Sequence, residues 1–170
     1  METARLVLKP KEDLRLRQGH PWVYDNEIAR VEGSPEPGGR VDVLDARLQH
    51  VGSAFFNPAS KIRARIYSRP PREPDADFFA EVVARSLDWR RRFFDPERQS
   101  LRLVYGEADG LPGLVVDSFV GRPESAASGL GGTEGAAQAG AAPAAAGRGT
   151  RRVLSAQFLS LGVERHKAAI

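Results

Sequence analysis

Three stretches carry side chains able to do chemistry. Gly19–Ile28 reads GHPWVYDNEI and brings His20, Trp22 and Tyr24 close together. Lys61–Ser68 reads KIRARIYS, in which Arg63 and Arg65 alternate with Ile62, Ala64 and Ile66. Gly106–Asp117 reads GEADGLPGLVVD, with Glu107 and Asp109 set among Gly106, Gly110 and Gly113. Each stretch suggests a different chemistry: general-base catalysis, polyanion binding, or phosphate cradling.

Catalysis by His20 is disfavoured. A residue before proline is held extended, and a general base needs a proton donor within hydrogen-bond reach. No Ser or Cys nucleophile and no second His stands at a telling spacing, and no metal set is expected. The aromatic ring of Trp22 is expected to fill one end of a small β core, its indole N–H paired with a backbone carbonyl. Base stacking is the competing role for Trp22; under either, His20 and Tyr24 can stay at the surface. The Gly106–Asp117 stretch lacks both the G-x-G-x-x-G spacing and the lysine of a phosphate loop, and its carboxylates would repel a phosphate. It reads as a tight turn between strands, with Gly110 and Gly113 at positive φ and Pro112 fixing the bend.

The basic alternation is the better binding candidate. On a strand, Lys61, Arg63, Arg65 and Tyr67 face opposite to Ile62, Ala64 and Ile66, giving one core face and one cationic face. Asn57, Ser60 and Lys61 occupy the preceding turn. Arg5, Lys9, Lys11, Arg15 and Arg17 lie near the first strand and a short helix, and His20 lies just beyond. Such donors converge on phosphate oxygens and suit a structured RNA held by its backbone and 2′-hydroxyls. The alternative is that about half of these arginines cover hydrophobic rims with their stems.

The elements that must position these groups are short. Arg5–Lys9 has an edge-strand pattern ending at Pro10, and Lys11–His20 a short helix or turn. From Ile28 to Ser68, turn signals at GSPEPGG and NPAS separate about four strands, as in a small barrel or sandwich. RPPREP is a stiff connector and the expected domain boundary, at residue 70. Beyond it Asp75 or Asp77 caps a helix with Phe79, Val82, Val83, Leu87, Arg90 and Phe94 on its packed face. LRLVY, LVVDSF and RVLSAQFLS read as strands, and LGVERHKAAI begins as a helix. The Ala/Gly-rich stretch 121–149 offers little apolar area and is expected to be disordered.

The 170 residues are 41% hydrophobic, enough for a core. Lys and Arg exceed Asp and Glu by three over residues 1–69, fall short by three over 70–120, and exceed them by three again beyond. No apolar run reaches membrane-spanning length, so no membrane partner and a cytoplasmic location are expected. Cysteine is absent, which removes disulfides, thiolate metal ligands and cysteine nucleophiles together.

RLVLKP with HPWVYDNEI, then NPASKIRARIYS, then GEADGLPGLVVD, in that order, resemble the N-terminal half of the class I SAM-dependent large-subunit rRNA methyltransferases that make 5-methylcytosine. The resemblance covers residues 4–119 and 152–170. It implies an α+β chain: a PUA-like, RNA-binding β pseudo-barrel over residues 1–70, followed by a central α/β domain over 71–170 that is incomplete, with 121–149 inserted. It implies large-subunit rRNA as partner and S-adenosyl-L-methionine as cofactor of the intact enzyme. Where the chain stops, the Rossmann-like SAM domain is expected to be missing, so no cofactor is expected here. C5 methylation in that family uses a Cys thiolate to attack C6, and this chain has none, so no catalytic residue is expected. A stand-alone RNA-binding or adaptor protein is the second reading, and a homodimer is compatible with either. A small-molecule enzyme using Asp109 or Asp117 finds no support in the spacing. An exposed apolar patch is expected around 153–170.

Overall fold

The computed structural model describes residues 3–121 and 151–170. The disorder expected over 121–149 falls outside these residues, except at Gly121, which ends a strand.

The first part is a six-stranded sheet. Its strands are β1 (Arg5–Leu8), β2 (Trp22–Tyr24), β3 (Ile28–Glu32), β4 (Arg40–Leu44), β5 (His50–Phe56) and β6 (Ile62–Ser68), in the order β2-β6-β5-β4-β1-β3. Leu6, Val23, Val41, Ala54 and Ala64, from five of these strands, meet in a single apolar cluster, so the sheet curls around its own core. Helix α1 (Asp13–Arg17) closes the cluster with the fully buried Leu16. β1 is not the edge strand expected from its pattern. It pairs antiparallel with β3 and parallel with β4, and Leu6, Val7 and Leu8 are all buried.

Four of the sheet's ladders carry a register shift, and two of these shifts move core residues. Val51 is an extra residue between the pairs Val43–Gly52 and Leu44–His50, and the bulge brings it into the same core as Ala54 and Phe56. Tyr67 is likewise extra between Ser53–Ser68 and Ala54–Ile66. Ala64 and Ile66 enter the core as predicted, whereas Tyr67 turns into a second core with Phe55.

That second core belongs to the rest of the chain. Helix α2 (Ala76–Arg91) starts at Asp75, whose carboxylate accepts the Phe78 N–H at 2.8 Å. It buries Phe78, Phe79, Val82 and Ser86 against the antiparallel sheet β7 (Leu101–Tyr105), β8 (Leu114–Gly121), β9 (Arg151–Phe158). Each fully buried Val or Phe there contributes on the order of 2 kcal/mol. Phe94, expected on the packed face, lies beyond the end of α2 and is exposed. Helix α3 (Leu161–Arg165) sets Val163 in the same core.

The connector between the parts is pinned. The Tyr67 hydroxyl donates to the Arg72 carbonyl at 2.6 Å, the Arg72 N–H to Ser53 Oγ at 3.3 Å, and Arg40 pairs with Glu73. Phe119 and Val153 are exposed as a pair on the β8–β9 ladder, with Leu154 exposed on its other face and Leu159 in the following turn; the sequence predicts exposed apolar residues around 153–170.

Candidate nucleic-acid interface

The basic side chains divide into groups. The first surrounds β2 and the 3-10 turn Asp25–Glu27 that follows it. Glu27, buried at 7% exposure, is the hub. Its carboxylate accepts from Arg15 at 2.5 Å and from the Tyr24 N–H at 2.7 Å. Arg15 also donates to the Trp22 carbonyl at 3.0 Å and lies over the Tyr24 ring at 5.2 Å. Lys9 Nζ donates to the Asn26 carbonyl at 2.7 Å, and the Asp25 N–H to the Lys61 carbonyl at 3.0 Å. Arg63 donates to the Pro58 carbonyl and stands 3.9 Å from Asp25. Of the predicted cations, Lys9, Arg15 and Arg63 therefore bring their side chains to one turn, which the Lys61 backbone also bonds, and the Tyr24 ring lies against Arg15. Among the described residues no carboxylate pairs with Lys9 or Lys61.

The other predicted cations lie elsewhere. Arg17 is tied to Asp13 at 2.7 Å and Asp45 at 2.8 Å. It borders an open cleft of about 430 Å³ with Lys11, which is exposed and has φ 73°. Burial alone would raise the Asp45 carboxyl. The N–H groups of Gln49 and Arg47 and the Arg17 guanidinium outweigh it, so its pKa lies below the ordinary value. Arg5 sits at the opposite end of β1 from Lys9, opposite Glu32. Asn57 does not project outward: its Oδ1 accepts the Ala59 N–H at 3.0 Å and shapes the β5–β6 turn.

The expected single row of guanidinium groups along β6 is interrupted. Arg63 turns to the hairpin and Asp25, while Arg65 faces Glu107 of the second part at 3.7 Å and its side chain is only 21% exposed. Alternation places residues on a face, but the carboxylates opposite come from distant segments and have no local signal.

Trp22 corrects a second expectation. Val23 fills the core and Trp22 is only half-buried; its indole N–H donates to the Glu107 carboxylate at 2.9 Å, not to a backbone carbonyl. His20 Nδ1 accepts the Trp22 N–H at 3.2 Å, and its ring meets the indole edge-on at 5.6 Å. Arg69, absent from the predicted set because it opens the proline-rich connector, donates to the His20 carbonyl at 3.3 Å. The His-Pro-Trp segment is thus joint rather than plug, fastening the first sheet to the turn of the second.

That turn behaves as predicted. Gly110 and Gly113 have φ of 81° and 85°. At Gly113 a side chain would also meet Ser160, whose Oγ donates to the Pro112 carbonyl at 2.8 Å. Asp109 accepts two hydrogen bonds from Arg90, at 3.0 and 2.7 Å, and the Tyr105 N–H at 2.6 Å. Both turn carboxylates are committed to protein partners, and among the described residues no group of His, Asp and Glu could hold a metal.

Residues 6–69, the curled sheet bearing the cationic turn, match the PUA-like domain family. This part of the chain is a PUA-like domain. Over 119 residues, 69% of the chain, the protein is 37% identical to ribosomal RNA large subunit methyltransferase I of Cronobacter sakazakii. It is 39% identical over 121 residues to the protein of that name in Erwinia tasmaniensis. The chain is homologous to these proteins and spans about 30% of their length. Beyond the PUA-like domain the fold is also shared. A Streptococcus mutans protein described as a SAM-dependent methyltransferase superposes over 66% of the chain and 30% of its own, with a TM-score of 0.55 at 16% identity. A methyltransferase solved with SAH gives the same score.

The described residues do not fit S-adenosylmethionine. The PUA-like domain has one parallel strand pair, β1–β4, joined through other strands, and the second sheet is wholly antiparallel. Neither contains the strand–glycine turn–helix unit that cradles a nucleotide, and the glycine turn present joins two antiparallel strands. No helix among the described residues is long and apolar enough to cross a membrane.

Proposed function

We propose that this chain is the RNA-recognising part of a large-subunit rRNA methyltransferase that acts on cytosine C5, the methyl donor and thiolate being supplied outside it. The PUA-like domain, about residues 1–70, grips the rRNA backbone, and the α/β part from residue 71 spaces that grip from the reacting base. Base flipping and methyl transfer are not assigned to any residue here. The observation that carries the reading is that Lys9 and Lys61, with no carboxylate partner among the described residues, stand with Arg63 about the turn Asp25–Glu27 that Arg15 braces within the PUA-like domain. Lysine and arginine donors around one protruding turn suit phosphate oxygens, and Tyr24 offers a ring beside them.

Lys61→Ala with Arg63→Ala is expected to weaken binding of a large-subunit rRNA fragment and to lower the slope of log affinity against log salt by about 1 to 2. Filter binding across a salt series reads both. An unchanged slope overturns this assignment of the RNA face. Arg65→Ala is expected to lower the slope less than Lys61→Ala, because its guanidinium faces Glu107 at 3.7 Å whereas Lys61 has no carboxylate partner among the described residues.

A further inference from the structure

The end of α2 carries a sequence that the PUA-like domain does not use: Trp89-Arg90-Arg91-Arg92-Phe93-Phe94. Trp89, Phe93, Phe94 and Tyr105 are 55%, 64%, 53% and 56% exposed and line one open cleft of about 470 Å³. Four exposed aromatic rings around a single cleft are more than a solvated surface ordinarily shows.

We propose that this cleft is a second RNA contact, a stacking platform for unpaired bases; it rests on the RNA-binding reading above and extends it to the second part of the chain. The rings are held in place. Trp89 and Phe93 meet edge to face at 5.3 Å, Arg92 lies over Trp89 at 5.4 Å, and Arg102 over Tyr105 at 5.1 Å. The floor is fixed by Arg90, locked to Asp109. Pre-set aromatic faces flanked by guanidinium groups are what sequence-tolerant binding of single strands requires.

Charge selects the occupant. Arg90, Arg91 and Arg102 are each paired with an aspartate. Among the described residues Arg92 has no carboxylate partner, only the Trp89 ring. Arg92 stands beside the cleft, over the Trp89 ring that lines it, and an apolar protein segment laid there would offer it no counter-charge. A nucleotide places its base on the rings and its phosphate against Arg92. The base must be unpaired, because a duplex buries the flat faces that the rings would meet.

The chain has two tryptophans, Trp22 and Trp89, so emission can report on the cleft. With the full chain, oligouridine is expected to quench tryptophan fluorescence, and Trp89→Phe to keep the affinity while losing most of the quench. Trp89→Ala with Phe93→Ala is expected to weaken oligouridine binding about tenfold, with affinity for a base-paired hairpin and the melting temperature unchanged. Equal oligouridine affinity of that variant and wild type overturns the proposal. So does a concentration-dependent blue shift of Trp89 emission without RNA, which would assign the cleft to a second copy of the chain. If hairpin binding persists and responds to Lys61→Ala with Arg63→Ala while the Trp89 variants change nothing, the cleft is excluded and the PUA-like assignment stands. Failure to bind either RNA overturns both.

Discussion

Gly162→Ala is expected to lower the melting temperature by about 10 °C, from about 3 kcal/mol of lost stability in a chain of this size. A Cβ on Gly162 would overlap three atoms of the Phe55 side chain, Cγ, Cβ and Cδ2. Phe55 has nowhere to go. It is 3% exposed, stacked on Tyr67 at 4.4 Å with His166 at 5.7 Å, and its Cβ is fixed by the central strand β5. Relief therefore requires α3 to lift from the PUA-like domain, which draws Val163 out of the second core and strains the Arg165–Glu36 pair at 2.5 Å. Since Phe55 is the obstacle, the effects are not additive. Phe55→Ala alone leaves a cavity costing about 3 to 5 kcal/mol, and adding Gly162→Ala to it is expected to cost little more. A double-mutant cycle followed by thermal melting reads the coupling. Full additivity, or a wild-type melting temperature for Gly162→Ala, would mean that α3 does not dock this closely on β5.

The same contact shows what was legible in the sequence. Alternation in KIRARIYS correctly placed Ala64 and Ile66 in a core, and Asp75 is the helix cap its type suggests. The glycines of GEADGLPG bend where they should. These signals are local: a strand's period, a cap's oxygen, a turn's φ. What the sequence withheld depends on partners far along the chain. Phe55 and Tyr67 look like further strand residues but face a second core built after residue 75. The Trp22 indole finds its acceptor in Glu107, 85 residues on. β1 reads as an edge because nothing nearby announces its parallel pairing with β4. For the cationic turn, residue types named the candidates, but only the fold shows that Lys9 and Lys61 both bond to the turn Asp25–Glu27 while Arg17 and Arg65 face carboxylates. Motif resemblance reached further than periodicity, because three stretches in fixed order carry tertiary information that no single window holds.

Asp109 joins the local and the distant, and its removal is the sharper electrostatic test. Its carboxylate takes both arms of the Arg90 guanidinium and the Tyr105 N–H, while Arg90 also donates to Ser86 Oγ at 2.7 Å and to the Arg102 carbonyl. The pair is largely sheltered, at 14% and 13% side-chain exposure. Asp109→Ala leaves a guanidinium in that enclosure without its counter-charge, and is expected to cost about 3 kcal/mol. Replacing both partners, Arg90→Met with Asp109→Leu, is expected to cost less than the single change, since no charge is then stranded. Burial by itself would push the Asp109 carboxyl up, but the Arg90 and Tyr105 bonds outweigh it and hold the pKa below the usual carboxylate value. A carboxyl lowered in the folded state stabilises the fold fully above its unfolded pKa of about 4 and loses that contribution as pH falls towards the folded value. The difference in melting temperature between wild type and Asp109→Ala is therefore expected to hold from about pH 7 to pH 5 and to narrow below about pH 4. A difference that persists undiminished into the acid range would show that the alanine removes packing rather than charge. The link between the GEADGLPG turn and α2 would then have to rest on apolar contacts alone.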